Sequence, residues 1–348
     1  MSPRRAKPKK PAFTWIIRSV YASVLTLLIV AGLSLTVILQ TKEHVFESAP
    51  LSTASENEAV QIEPFPISVN PIAKRIEANT TVDQYYTDTL ALSAPPTTNS
   101  WLARLTAKLA TRRWYQQLAS PVSRIFVIWP GERKEEVTKH VAGILGWNAT
   151  ETAAFVTAVT ELPPAFPDGT FYPGQYVTHR KATPEEIATL INERFTTAIT
   201  DRYNDELEAI VPLEDAIIIA SLLEREASDF ENMREVAGVI WNRQFIDMPL
   251  QLDATLQYAR GSNPAEPAWW PAIRPSDKYV DSPYNTYTHT GLPPTPISNV
   301  SVEAVLAALN PIATDCLFYF HDSKRNYYCS TTYEEHVAKL KQIYGQGR

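Results

Sequence analysis

The sequence predicts an α+β protein, rich in helices towards its C-terminus, carried behind a single N-terminal membrane anchor. Three observations lead there. Helical apolar spacing recurs through most of the chain from Arg124 onward. Only a few short runs read as strands: RIFVIW from Arg124, and the aromatic runs between Cys316 and Cys329. Residues 20–39 form a stretch of twenty without a charge, long enough to cross a bilayer as one helix.

The anchor is read with its flanks. Arg4, Arg5, Lys7, Lys9 and Lys10 precede it, and no acid occurs before Glu43. A basic N-terminal flank places that end in the cytoplasm and the bulk of the chain outside. Residues 1–12 are therefore assigned as a cytoplasmic tail and 13–40 as the transmembrane segment. A cleaved signal peptide would have a shorter apolar core and a small-residue cleavage site, and AGLSLTVILQTKEH offers no clean one. The formal net charge of −6 hides an asymmetry, since residues 1–40 hold six Lys or Arg and no acid, leaving −12 for the rest. An acidic exported domain is a poor electrostatic partner for nucleic acid, so none is expected. Residues 41–122, with the patch SAPPTTNS, read as a stalk. Within it, residues 101–119 have the pattern of a short basic amphipathic helix, which packs on the domain or lies on the membrane surface, packing being the commoner outcome.

Beyond the stalk the elements follow in order. RIFVIW is a strand, and GERKEEVTKHVAGILG and NATETAAFVTAV are helices, the second capped by Asn148 or Thr150. ATPEEIATLINERFTTAI is a longer helix with Pro in its first turn. Helices are also expected over 216–228 and 232–245, and from Ser301 through SVEAVLAALN. An aromatic hairpin with a loop at 321–324 would set Cys316 opposite Cys329, as a disulfide or as two free thiols. The capping-box-like TTYEE opens a last helix over 331–344. The six histidines show no metal-ligand spacing, and no metal or cofactor is expected.

The chemistry centres on AIIIASLLEREAS, an apolar helix carrying Glu224 and Glu226. Two residues apart on a helix, these acids point in nearly opposite directions. Glu226 follows Leu223, Leu222 and Ile219 by three, four and seven residues, which places it on an apolar stripe. Desolvation there holds the proton more tightly, as a general acid near neutral pH requires. Glu224 has a smaller and more mixed surface and need not titrate high. From this local pattern alone, an ion pair with Arg225 or Arg243 is the commoner role for such a glutamate. Downstream, PLQLDAT would present Gln251, Asp253 and Thr255 on one side if extended, and Tyr284, Asn285 and Tyr287 crowd a Pro-bounded loop. With the pair Trp269 and Trp270, these are groups that hold sugars by their apolar faces and polar edges.

The order LLEREAS, REVAGVIWNRQFIDMPLQLDAT, DSPYNTYTHTGLPPTPISN, ALNPIATDCLFYF and TTYEEH resembles the YceG-like family, the MltG-type endolytic murein transglycosylases of bacteria. The resemblance covers about 120–348 and is strongest from 214 on. It implies a small LysM-like α/β subdomain at 123–190 and a helix-rich catalytic domain at 191–348, facing peptidoglycan from the inner membrane. It also implies that Glu226 protonates the oxygen between N-acetylmuramic acid and N-acetylglucosamine, then takes the proton of the muramyl C6 hydroxyl as that oxygen attacks C1. A 1,6-anhydro end results, and the length of nascent glycan strands is limited. Gln251, Asp253, Thr255, Tyr284, Asn285 and Tyr287 are the implied groove residues, with Glu224 structural. Peptidoglycan synthases and the elongation or division machinery are the implied partners. The chain departs from the family pattern at Ala227, which is usually Thr, and at Tyr327, commonly His. A catalytically degenerate scaffold, a hydrolytic muramidase and a stalked membrane glycosyltransferase are the alternatives. The last lacks a D-x-D signature.

Overall fold

Local rules account for each element, and two apolar cores assemble them. In the computed structural model residues 62–91, 123–266 and 268–345 are described. Strand β3 (Ser123–Ile128) buries alternate residues, as a half-covered strand does, and pairs antiparallel with β4 (Gly174–His179), Ser123 opposite His179. Between them lie α2 (Lys134–Leu145) and α3 (Ala149–Glu161). Asn148 caps α3 by accepting from the Glu151 N–H, and Gly146 ends α2 in the left-handed region. Helix α4 (Pro184–Ala198) starts with Pro behind a Thr183 cap. Phe126, Ile128, Val137, Val141, Phe155, Tyr176, Ile187 and Ile191 form the first core.

Around the second core run α5 (Asp205–Ile210), α6 (Leu213–Glu226), α7 (Phe230–Phe245), α8 (Asp253–Gly261) and α9 (Val302–Leu309). Every residue of α6 from Ala216 to Leu223 is buried. An all-round apolar helix belongs in the middle of a core, and α9 is buried in the same way from Ala304 to Leu309. Helix α7 presses on the chain beyond α9 at Gly238, where a Cβ would stand 2.4 Å from the Ile312 carbonyl oxygen. Phe195 of α4 reaches this second core while Ile191 belongs to the first, so α4 spans the boundary expected at 190.

The stalk expectation is corrected over 62–91. Strands β1 (Val69–Asn70) and β2 (Arg75–Ile76) form a small antiparallel ribbon, followed by α1 (Val82–Tyr85). Phe65, Val69, Val82 and Tyr85 are buried in the second core. Ser68 N–H donates to Leu309 O, and Asn310 Nδ2 donates to Pro66 O at 2.6 Å. The polar composition of the segment masked four apolar anchors whose partners lie more than a hundred residues away.

The chain closes with β5 (Phe318–His321), β6 (Tyr327–Ser330) and α10 (Tyr333–Tyr344). The turn occupies 322–326, later than expected, so Cys329 faces Tyr319 and not Cys316. Cys316 and Cys329 nonetheless form a disulfide, Cα–Cα 5.7 Å. No helix among the described residues is long and apolar enough to cross a membrane. The anchor expected at 13–40 and the helix expected at 101–119 lie outside the described residues.

Candidate active site

Glu226 is the last residue of α6. Ala227 turns extended, and Asp229 at once caps α7 through the Asn232 N–H. The carboxyl thus sits at the end of a buried helix, half-buried itself, where a reactant can reach it. Oε2 accepts from the Tyr319 hydroxyl at 3.0 Å. A second donor is the Ala254 N–H, in the first turn of α8, where amides lack intrahelical partners and the helix dipole favours negative charge. Burial pushes Glu226 above the ordinary glutamate range. The Tyr319 and Ala254 bonds pull it back, Asp253 pushes it up, and Arg225 pulls it down. The outcome is an acid that keeps its proton longer than a free one.

Neither arginine takes the ion-pair role that the local pattern allowed. Arg225 donates to Gly131 O at 3.2 Å and lies 3.8 Å over the Trp270 ring. Arg243 is buried and donates to three carbonyls: Leu317 at 2.6 Å, Pro249 at 3.1 Å and Leu250 at 2.6 Å. It therefore ties together the two segments that bring Tyr319 and Asp253 to the site.

The remaining expected site residues divide into two groups. Asp253 is exposed and accepts from the Tyr287 hydroxyl at 2.6 Å, and Lys278 Nζ stands 4.7 Å over the Tyr287 ring. Gln251 is exposed, with φ 52°, in the turn that leads into α8. Tyr284 is half-buried against Tyr258, its hydroxyl 2.7 Å from Thr295 Oγ1. Thr255 and Asn285, in contrast, are fully buried, and their groove-lining role is corrected. Because α8 begins at Asp253, Gln251, Asp253 and Thr255 do not share an extended face. Thr255 Oγ1 instead donates to Leu252 O and meets Thr286 Oγ1. Asn285 donates to Lys278 O and Val280 O and accepts from the Tyr287 N–H, which fixes the loop behind Tyr287. Asn285→Ala should lower stability by about 2–4 kcal/mol, since buried partners lose their bonds. Equilibrium denaturant unfolding measures it.

Trp269 and Trp270 are also half-buried. Trp270 Nε1 donates to Glu136 Oε2 at 3.0 Å, so this ring bridges α2 and α6. Tyr319 and the Ala254 amide escaped the sequence reading. Strand alternation does put Tyr319 on the face opposite Phe318 and Phe320, but nothing local says what that face meets. Among the described residues no group of three or more His, Cys, Asp or Glu is placed to hold a metal ion.

Glu224 points the other way. Its Oε1 accepts from the Ser301 N–H at 2.8 Å, anchoring the start of α9. Contrary to the expectation from its mixed surface, burial pushes it up to about 7. Asp168, fully buried beneath Lys134 N–H and Gly169 N–H, is also pushed up to about 7 by burial. Both groups bind protons more tightly folded than unfolded. Their stabilising contribution is thus complete below the ordinary carboxylate range and is lost as pH rises towards about 7. Glu224→Gln should flatten this decline in a series of melting temperatures from acid to neutral pH. An unchanged slope would remove Glu224 from the account.

Fold and site together define an α+β protein built around one central helix that ends in a desolvated acid. The chain belongs to the YceG-like family, which matches residues 68–342. It is 33% identical over 178 residues to an endolytic murein transglycosylase of Bacillus subtilis (strain 168), covering 51% of this chain and 48% of that one. It is 27% identical over 176 residues to an endolytic murein transglycosylase of Streptococcus pneumoniae serotype 2 (strain D39), covering 50% and 32%. The chain thus spans about half or less of these curated relatives' length. A solved yceG-like protein from Listeria monocytogenes shares the fold, with TM-score 0.53 and 24% identity over 75% of this chain and 90% of that one.

Proposed function

We propose that this protein is a membrane-anchored endolytic lytic transglycosylase of peptidoglycan. It cleaves the β-1,4 bond between N-acetylmuramic acid and N-acetylglucosamine and leaves 1,6-anhydro ends, so limiting nascent strands. The observation that supports this most directly is Glu226: a reachable carboxyl, desolvated, with two donors and, among the described residues, no ion-pair partner. The protonated acid gives its proton to the departing glycosidic oxygen. The resulting carboxylate is held by Tyr319 and the Ala254 amide, then takes the proton of the muramyl C6 hydroxyl as O6 bonds to C1. Proton and bonds balance without water. No second carboxylate is needed, unlike the paired-acid hydrolases. Asp253 and Tyr287 stand beside Glu226, and with Gln251 and Tyr284 they are the proposed groove residues.

The wider reading places residues 13–40 in the cytoplasmic membrane and the catalytic part outside, with peptidoglycan synthases and the elongation or division machinery as partners. The strand–helix–helix–strand unit β3–α2–α3–β4 has the order a LysM-like glycan-contacting subdomain would have. Mass analysis of digested glycan strands tests the reaction. Anhydro products, lighter by one water than reducing ends, support a transglycosylase. Reducing ends identify a muramidase, and undigested strands identify a scaffold.

A further inference from the structure

We propose that Tyr319 is the positioning residue of Glu226, and that the Cys316–Cys329 disulfide holds it in place. Its hydroxyl determines which carboxyl oxygen carries the working proton. The inference rests on Glu226 being the acid.

The geometry carries the first half. The Tyr319 hydroxyl donates to Oε2 at 3.0 Å. An oxygen already accepting that bond stays the carbonyl-like one, so the acid proton resides on Oε1. Tyr319 itself remains protonated, because burial and the neighbouring Glu226 push its hydroxyl well above the ordinary tyrosine range. It is therefore a donor in every state of the cycle. After proton transfer the same bond stabilises the carboxylate, and a hydrogen bond to a charged group is among the stronger kinds.

The fold carries the second half. Among the described residues, strands β5 and β6 pair only with each other, and a lone two-stranded hairpin is marginal in water. Tyr319 nevertheless has to keep its oxygen within hydrogen-bond distance of a helix end 93 residues away in sequence. Cys329 is the cross-strand partner of Tyr319, and its disulfide to Cys316 ties that level of the hairpin to the segment leading into β5. Asn242 Nδ2 donates to Cys316 O, Arg243 Nε to Leu317 O, and Lys339 Nζ to Cys329 O. The bridge thus couples the tyrosine to α7 and α10 at once. The ionisable groups facing Glu226 are Arg225 on its own helix, Asp253 and Tyr287 from the α8 side, and Tyr319 from the hairpin, with Arg243 beyond Tyr319.

Tyr319→Phe keeps the ring and deletes one oxygen, so the fold survives it. Turnover should fall roughly ten- to hundredfold with KM little changed. The alkaline limb of the pH–rate profile should move to higher pH, because a bond favouring the carboxylate is gone. NMR titration of glutamate carboxyls labelled with carbon-13 reads the same effect without substrate. The Glu226 signal, identified by its loss in Glu226→Gln, should titrate at higher pH in the phenylalanine variant. Cys316→Ser with Cys329→Ser should shift both readouts in the same direction by less. Wild-type turnover and an unmoved Glu226 midpoint in Tyr319→Phe would overturn the positioning role. An unmoved midpoint in the double serine variant would overturn the brace. Lack of anhydro product from the wild type would instead strike the proposed function, while the titration still judges Tyr319.

Discussion

Glu226→Gln lowers turnover by roughly 10²- to 10⁴-fold, the span that general acid catalysis contributes, and anhydro ends vanish from the digest. The amide keeps the volume of the acid, and its carbonyl still accepts from Tyr319, so substrate binding stays near wild type. Stability should not fall with activity. The folded protein holds the Glu226 proton more tightly than the unfolded chain does. Its contribution is therefore present at low pH and lost as pH rises through the folded value. A neutral glutamine escapes that loss, so the variant melts at or above the wild-type temperature near neutral pH. Product mass spectra and thermal unfolding check the two halves together. Turnover within tenfold of wild type would mean that another group donates the proton. The same titration makes the wild-type rate decline as pH rises through the Glu226 transition.

Arg133→Ala destabilises the protein by about 3 kcal/mol or more. The residue is 1% exposed, and its side chain is among the largest fully buried ones. It donates to Tyr258 O at 3.2 Å, Ser262 Oγ at 2.9 Å and Glu135 Oε2 at 3.2 Å, and its guanidinium lies 4.2 Å from the centre of the Tyr258 ring. Truncation removes these bonds and the ring contact, and it opens a void between α2 and α8. No space exists for rearrangement there, because a Cβ on Gly261 would already stand 2.0 Å from Trp269 O. Lysine rescues only part of the loss, since one ammonium cannot reproduce the planar fork. The melting temperature should drop by roughly 4–6 °C in a chain of this size. A drop under about 1 °C would show that Arg133 does not secure this junction. Helix α8 also supplies the Ala254 amide, so a smaller loss of turnover is expected alongside.

Legibility followed the range of the forces involved. The helices over 216–228 and 232–245 were readable because 3.6-residue spacing, caps and a run of buried aliphatic residues are all local. The order of motifs was readable for the same reason, and it led to Glu226 and to the family. Tyr284, Asn285 and Tyr287 were picked out as one loop, yet only Tyr287 meets the neighbourhood of Glu226, through Asp253. Asn285 lies inside, holding the loop's backbone. Amide and hydroxyl side chains serve a sugar or a buried carbonyl equally well, and the letters of the motif do not say which.

By itself, then, the sequence determined the helix-rich α+β class, the family and the position of one acid on an apolar helix. Those are matters of periodicity, composition and motif order along the chain. Tertiary structure alone decided that residues 62–91 join the core, that Thr255 and Asn285 face inwards, and that Arg243 grips carbonyls. It also decided that Tyr319 meets Glu226. Each of these depends on which buried surfaces find one another across long stretches of chain, and a hydrogen bond between residues 226 and 319 leaves no periodic trace in either segment.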